Sequence, residues 1–255
     1  MKILVTNDDG FYARGLWLLA RELSKVGDVV IVAPDREQSA VASSMTLHHP
    51  LRVRKVRSAL EGVPSYSVEG TPSDCVILAL GRILTEKVDL VFSGINEGAN
   101  LGDDVLLSGT VGAALQGYFK GIPSVAISVG AIKDIHFEVA AKLAGVLARK
   151  IGDIPREVLL NVNLPNLPLD KIKGIEVTKL GRRSFGDKVV EGNDGKREYY
   201  WIVRGEPQWQ PSEGTDVKAF IEDKISITPL YTDLTSASAL AKLKKLPREL
   251  LDNLK

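Results

Sequence analysis

Asn7-Asp8-Asp9-Gly10 places an amide, two adjacent carboxylates and a glycine directly after the apolar run Ile3-Leu4-Val5. Neighbouring carboxylates repel each other and would repel a phosphate, so the pair makes chemical sense with a divalent cation between them. Asn, Asp and Gly are also the residues that favour turns, and this stretch alone fits a plain turn equally well. Two later segments carry matching material. Ser39 lies in the polar segment 34–44, with Asp35, Arg36, Glu37 and Gln38, and Asn96 lies in the glycine-rich segment 93–102. A hydroxyl and an amide oxygen beside two carboxylates form a donor set that hard ions such as Mg²⁺ or Mn²⁺ prefer. A softer, zinc-type site is not expected. His48, His49 and His136 have no ligand spacing, and Cys75 sits next to Val76, Ile77 and Leu78 as a buried small hydrophobe would.

Ser108-Gly109-Thr110 precedes a helical stretch of small residues, 111–119. Unpaired N–H groups and the positive end of a helix suit an anion there, and glycine permits close approach. A simple N-cap explains the same residues and, taken alone, is favoured. A metal beside an anion pocket would imply phosphoryl chemistry: the ion polarises a phosphate oxygen and activates a water. Asp8 or Asp9 would position that water or act as base. No residue marks itself as the acid for the leaving oxygen.

These groups need elements that bring them to one edge. Ile3 to Val5, 29–33, 88–92 and 124–129 read as strands buried on both faces. Leu16, Leu19, Ala20 and Leu23 recur at helical spacing with Gly27 as a stop, so the start of the chain reads strand, helix, strand, the unit of a parallel sheet. Residues 51–56 and 66–69 read as exposed strands extending the sheet. Thr71-Pro72-Ser73-Asp74 reads as a helix start, with 75–84 as a mostly buried helix. Each polar segment follows a buried strand, and in open α/β sheets ligands bind at that carboxyl edge. Beyond about residue 130 the pattern predicts a helix over 137–151 and a strand over 159–162. A charged, strand-like region over 174–203 turns at Asn193-Asp194-Gly195. Its aromatics Tyr199, Tyr200 and Trp201 suit either a partner subunit or the chain's own sheet. A short helix over 213–223, a strand over 225–228 and a helical tail over 236–254 complete the reading. The expected architecture is α/β, a Rossmann-like, mostly parallel sheet flanked by helices, with a catalytic core over 1–130 and a carboxyl-terminal region over 131–255.

A net charge of +1 over 255 residues argues for neither a nucleic-acid polymer nor an anionic membrane as partner. No apolar run approaches the length of a membrane span. The amino terminus does not read as a signal peptide, and a single cysteine fits the reducing cytoplasm.

The chain resembles the SurE family of survival proteins, metal-dependent 5'-nucleotidases. The likeness rests on Asn7-Asp8-Asp9-Gly10, Ala33-Pro34-Asp35 with Ser39, Gly70-Thr71-Pro72 with Asp74-Cys75-Val76, and Ser93-Gly94-Ile95-Asn96 with Gly98, Asn100 and Gly102. It continues through Ser108-Gly109-Thr110-Val111-Gly112, Gly121-Ile122-Pro123-Ser124, Asn161-Val162-Asn163-Leu164-Pro165, Gly181-Arg182-Arg183, Tyr199-Tyr200-Trp201 and Thr228-Pro229-Leu230. The resemblance implies release of phosphate from nucleoside 5'-monophosphates, with 3'-nucleotides or short polyphosphate as further substrates. It implies one divalent ion per subunit on Asp8, Asp9, Ser39 and Asn96, and phosphate near Asn7, Gly10, Ser108, Gly109 and Thr110. It also implies a homodimer or homotetramer built through the carboxyl-terminal hairpin and helices. Asp223-Lys224 departs from the family's usual Gly-Tyr before the last strand; Asp tolerates positive φ better than most residues. Two alternatives fit less well. An aspartyl-phosphate phosphatase needs its second acid two residues after the first, where Gly10 stands. A phospho-receiver module needs an acceptor Asp at the end of a later strand, where Ser93 stands.

Overall fold

A computed structural model describes residues 1–153, 157–205 and 207–253. In chain order the first half holds β1 (Lys2–Thr6), α1 (Arg14–Leu23), β2 (Asp28–Pro34), β3 (Val53–Lys55), β4 (Ser65–Val68), α2 (Pro72–Leu78), β5 (Leu90–Glu97), α3 (Gly109–Tyr118) and β6 (Ser124–Val129). The second half adds α4 (Phe137–Lys150), β7 (Leu159–Leu164), β8 (Gly174–Val177), β9 (Arg182–Phe185), β10 (Lys188–Asn193), β11 (Glu198–Val203), β12 (Pro207–Gln210), α5 (Asp216–Ile221), β13 (Lys224–Leu230), α6 (Ala237–Lys242) and α7 (Leu246–Asn253).

Nine strands form one sheet in the order β3-β4-β2-β1-β5-β6-β7-β13-β8. From β4 to β7 every neighbouring pair is parallel; β3 on β4 and β13 on β7 are antiparallel. The expected mostly parallel α/β sheet is therefore present. Residues after 130 extend it through β7, β13 and β8. The hairpin β10–β11 and the pair β12–β9 stand outside it as two-stranded sheets.

Alternation along β1 sends Ile3 and Val5 to one face and Leu4 to the other, as side-chain period 2 demands. On the first face lie α1 and α4. Leu16, Leu19, Ala20 and Leu23 of α1 are all buried there, and each leucine contributes about 1.5–3 kcal/mol of burial. On the second face, Cys75 and Val76 of α2 and Ala113 of α3 pack on Leu4, Val30 and Val91. Cys75 is a buried free thiol, as its neighbours suggested. The start of α2 is a capping box: the Thr71 hydroxyl accepts from Asp74 N and the Asp74 carboxylate accepts from Thr71 N.

Several expectations change. The strand over residues 66–69 is not exposed: β4 lies between β3 and β2, and its residues are largely buried. The α-helix expected over 75–84 gives way after Leu78 to a π-helical turn over Ala79–Ile83. The segment 93–102 is not loop throughout, because β5 runs on to Glu97, with a register shift against β6 between Gly94 and Asn96. Tyr199, Tyr200 and Trp201 do not cap the chain's own sheet; all three are exposed. Asp223 does adopt a left-handed φ of 62° immediately before β13.

Candidate active site

The turn after β1 is real. Asn7 Nδ2 donates to the Gly10 carbonyl at 2.9 Å, and Ala13 N donates to the same oxygen at 3.1 Å. Gly10 has φ 97°, and a Cβ there would lie 2.8 Å from the Arg36 carbonyl carbon, so only glycine fits. The turn is laced to the segment after β2. Phe11 N donates to Pro34 O at 2.7 Å, and Gln38 N donates to Asp8 O at 2.7 Å. That second bond brings the stretch with Glu37 and Ser39 alongside the two aspartates.

The third component arrives with α3. Its N-cap is Ser108, whose hydroxyl accepts from Val111 N at 3.1 Å. The capping reading therefore holds, and the Ser108 hydroxyl keeps its own hydrogen to donate. Thr110 N donates to Asp8 Oδ2 at 3.0 Å, and the Thr110 hydroxyl donates to Asp8 Oδ1 in a short bond. Gly109 makes this approach possible: a Cβ there would stand 3.0 Å from both Asp8 Cβ and Asp8 Oδ2. Gly109, as the first helical residue, has an N–H with no intrahelical acceptor. It and the Ser108 hydroxyl are the donors left for an anion.

Asp8 is buried, and burial pushes its carboxyl up against the lowering pull of its bonds to Thr110. Asp9 is pushed up to about 8, first by burial and then by the negative charges of Asp8, Glu97 and Glu37, with partial offset from the Glu97 amide. Asp9 Oδ2 is buried with no hydrogen-bond partner, and so is Asn7 Oδ1. Groups like these cost free energy unless a cation or polar ligand meets them. No three His, Cys, Asp or Glu side chains converge as a ligand set among the described residues. An ion here would depend on two carboxylates supplemented by neutral oxygens, a set suited to Mg²⁺ or Mn²⁺.

Ser39 and Asn96 supply such oxygens. Ser39 is exposed and its hydroxyl donates to Glu37 Oε1 in a short bond. Asn96 Nδ2 donates to Gly98 O at 2.7 Å, which leaves its Oδ1 uncommitted. The segment beyond it is held from β6 and β7. Asn163 Oδ1 accepts from Asn100 N at 2.8 Å, Asn161 Nδ2 and Asn163 Nδ2 donate to Asn100 O at 2.8 and 3.1 Å, and Asn100 Nδ2 donates to Ser128 Oγ at 3.0 Å.

Reasoning from the sequence missed four residues here. Glu37 and Glu97 add negative charge to Asp9, and nothing in their spacing sets them apart from surface acids. Thr6 at the end of β1 pairs in register with Ser93 inside β5, both fully buried with unpartnered hydroxyls. The signal for these was a lone hydroxyl residue at the end of each apolar run.

A family model described as Survival protein SurE matches residues 3–187. The chain belongs to the SurE family. SurE relatives match almost end to end. One named 5'-nucleotidase SurE from Dehalococcoides mccartyi (strain CBDB1) is 48% identical over 238 residues, covering 92% of this chain and 90% of that protein. Another of the same name, from Geobacter metallireducens, is 46% identical and covers 96% of each. The crystal structure of the SurE protein from Aquifex aeolicus superposes with a TM-score of 0.82 at 41% identity, covering 97% of this chain and all of that one. At that coverage the likeness includes most of the chain after residue 130.

Proposed function

We propose that the carboxyl-edge site hydrolyses nucleoside 5'-monophosphates to nucleoside and phosphate with one divalent ion, Mg²⁺ or Mn²⁺, held by Asp8, Asp9, Ser39 and Asn96. The chain is a 5'-nucleotidase on the strength of its relatives, which carry that name at 45–49% identity over nearly its full length. The observation that carries the metal reading is the Asp9 carboxylate. It is half-buried beside Asp8, Glu97 and Glu37, with one buried oxygen unpartnered. A bound ion there supplies Lewis-acid activation of a phosphate oxygen and of a water.

The remaining work falls to the protein. Asn7 and Gly10 shape the turn that presents the carboxylates. The Gly109 N–H and the Ser108 hydroxyl point donors at a phosphate from the start of α3, where the helix end also favours negative charge. Asp8 has both oxygens engaged by Thr110. Asp9 has the uncommitted oxygen, which would meet the ion directly. The same site would accept 3'-nucleotides or the end of a short polyphosphate wherever the phosphate reaches these donors.

The core over 1–130 holds all of these residues, and the region over 131–255 completes the sheet and joins subunits as a homodimer or homotetramer. Exposed Tyr199, Tyr200 and Trp201 on the hairpin support that role. No helix among the described residues is long and apolar enough to cross a membrane. The single cysteine supports a cytoplasmic setting.

The test is phosphate release from a panel of nucleoside monophosphates, with and without Mn²⁺ or Mg²⁺. Asp8→Asn should remove most turnover, because it deletes a charged ligand. Ion-independent release, or full activity in Asp8→Asn, would overturn the reading.

A further inference from the structure

We propose that Thr110 is a positioning residue that locks the Asp8 carboxylate for the metal, and that it is not a phosphate ligand. The inference rests on the metal reading above and deepens it. Thr110 is fully buried. Its two polar hydrogens go to the two different oxygens of one carboxylate, N–H to Oδ2 at 3.0 Å and O–H to Oδ1. A threonine offers no third donor. Phosphate ester dianions present only acceptor oxygens, so a hydroxyl whose hydrogen is already on Asp8 would meet them acceptor to acceptor.

The geometry explains what the two bonds achieve. A single hydrogen bond leaves a carboxylate free to rotate about its Cβ–Cγ bond. Two bonds, one to each oxygen and both from the same rigid residue, fix the carboxylate plane. Each Asp8 oxygen has further lone-pair capacity after accepting one bond, so both remain competent as ligands, now in a set direction. The donor side is equally constrained. Thr110 is β-branched and sits in the first turn of α3, where helical geometry restricts its χ1. Gly109 lets that turn come within contact distance of Asp8. Partners of this kind orient metal ligands, and their loss costs metal affinity.

The test uses the full chain stripped of metal. Mn²⁺ is titrated in and the free ion is followed by electron paramagnetic resonance. Steady-state kinetics at saturating Mn²⁺ give kcat, the KM for a nucleoside monophosphate and inhibition by inorganic phosphate. Thr110→Val, which removes the hydroxyl at nearly constant shape, should weaken Mn²⁺ binding by about 10–100-fold. At saturating Mn²⁺ its KM and phosphate inhibition should stay within about twofold of wild type, since no substrate contact is lost. Thr110→Ser restores the hydroxyl and should return Mn²⁺ affinity to near the wild-type value. Thermal unfolding checks that each variant folds, and Thr110→Ala replaces Thr110→Val if the latter does not. Unchanged Mn²⁺ binding in the hydroxyl-free variant overturns the proposal, and so does a raised KM with weakened phosphate inhibition. Failure of the wild-type chain itself to bind Mn²⁺ defeats the metal reading instead, which separates the two.

Discussion

Asp8 and Asp9 are adjacent in the chain and have different surroundings. Asp8 is held by Thr110 through both oxygens, whereas Asp9 has one oxygen with no partner and a carboxyl pushed up to about 8. The pair was legible in the sequence because two carboxylates after an apolar run have few explanations. The division of labour between them was not, because it depends on a bond across 102 positions. Gly109 gives a test at this scale. A methyl group added there meets Asp8 at 3.0 Å and must displace either the carboxylate or the start of α3. Alanine also favours the helix by up to about 1 kcal/mol over glycine, so Gly109→Ala should leave global stability within about 1 kcal/mol of wild type. Its Mn²⁺ binding should fall by about tenfold or more, as when a ligand's support is lost. Calorimetric titration with Mn²⁺ beside urea unfolding measures both; intact Mn²⁺ binding would show that the contact is slack.

At the level of elements, the segment after β5 is the least self-sufficient part of the site. Its Asn100 is held by Asn161 and Asn163 of β7 and by Ser128 of β6. Its Gly102 N donates at 2.8 Å to Asp216 at the start of α5, which also accepts from Gly181 N at 2.7 Å. Asp216 accepts from Val217 N as well, at 2.8 Å, so removing that acceptor strands three buried amides and Asp216→Ala should cost about 2–4 kcal/mol or more in urea unfolding. Burial raises the Asp216 carboxyl above its ordinary value of 3.8, against the opposing pull of the amides it accepts from. The folded state therefore holds this proton more tightly than the unfolded state does. The resulting stability is complete below 3.8 and is lost as pH climbs through the raised folded value. Relative to Asp216→Asn, which does not titrate, wild type should lose stability as pH rises from about 4 towards neutrality. A difference that stays flat or grows with pH would show that the amides dominate over burial.

The strands of the parallel core were readable from their apolar runs, and α1 from its leucine spacing. Two features were not. The place of β4 inside the sheet depends on β3 pairing along its outer side, and neither strand's own residues report that. The continuation of β5 through Ser93 to Glu97 was masked by glycine and asparagine, which locally favour turns; pairing with β6 overrides that preference.

For the whole molecule, the nine-stranded sheet buries its own core, yet much apolar surface stays uncovered near the carboxyl terminus. Val189, Tyr199, Tyr200, Trp201 and Ile202 of the hairpin are exposed, as are Leu240, Leu243, Leu246, Leu250 and Leu251 of the terminal helices. Surface of this kind marks an association site. Sedimentation velocity should find the wild-type chain as a dimer or tetramer. Tyr200→Asp combined with Trp201→Asp should shift it to a smaller species that still binds Mn²⁺. An unchanged sedimentation coefficient would remove the hairpin from the interface. The sequence located these aromatics but could not choose between a partner and the chain's own sheet, because alternation along a strand names a face without naming what covers it.

The bond between Asp8 and Thr110 has a consequence for the order in which the molecule is made. β1 is made before its partners, so Thr6 must wait for Ser93 and Asp8 for Thr110. Contacts this distant in sequence form only after a long loop has closed, and the entropy of closure comes before any reward. Until α3 docks, the turn has its own bonds and those to the segment after β2, but neither Asp8 oxygen has its Thr110 donor. The direction of the Asp8 carboxylate is thus fixed late, when a helix made about a hundred residues downstream docks on the turn after β1.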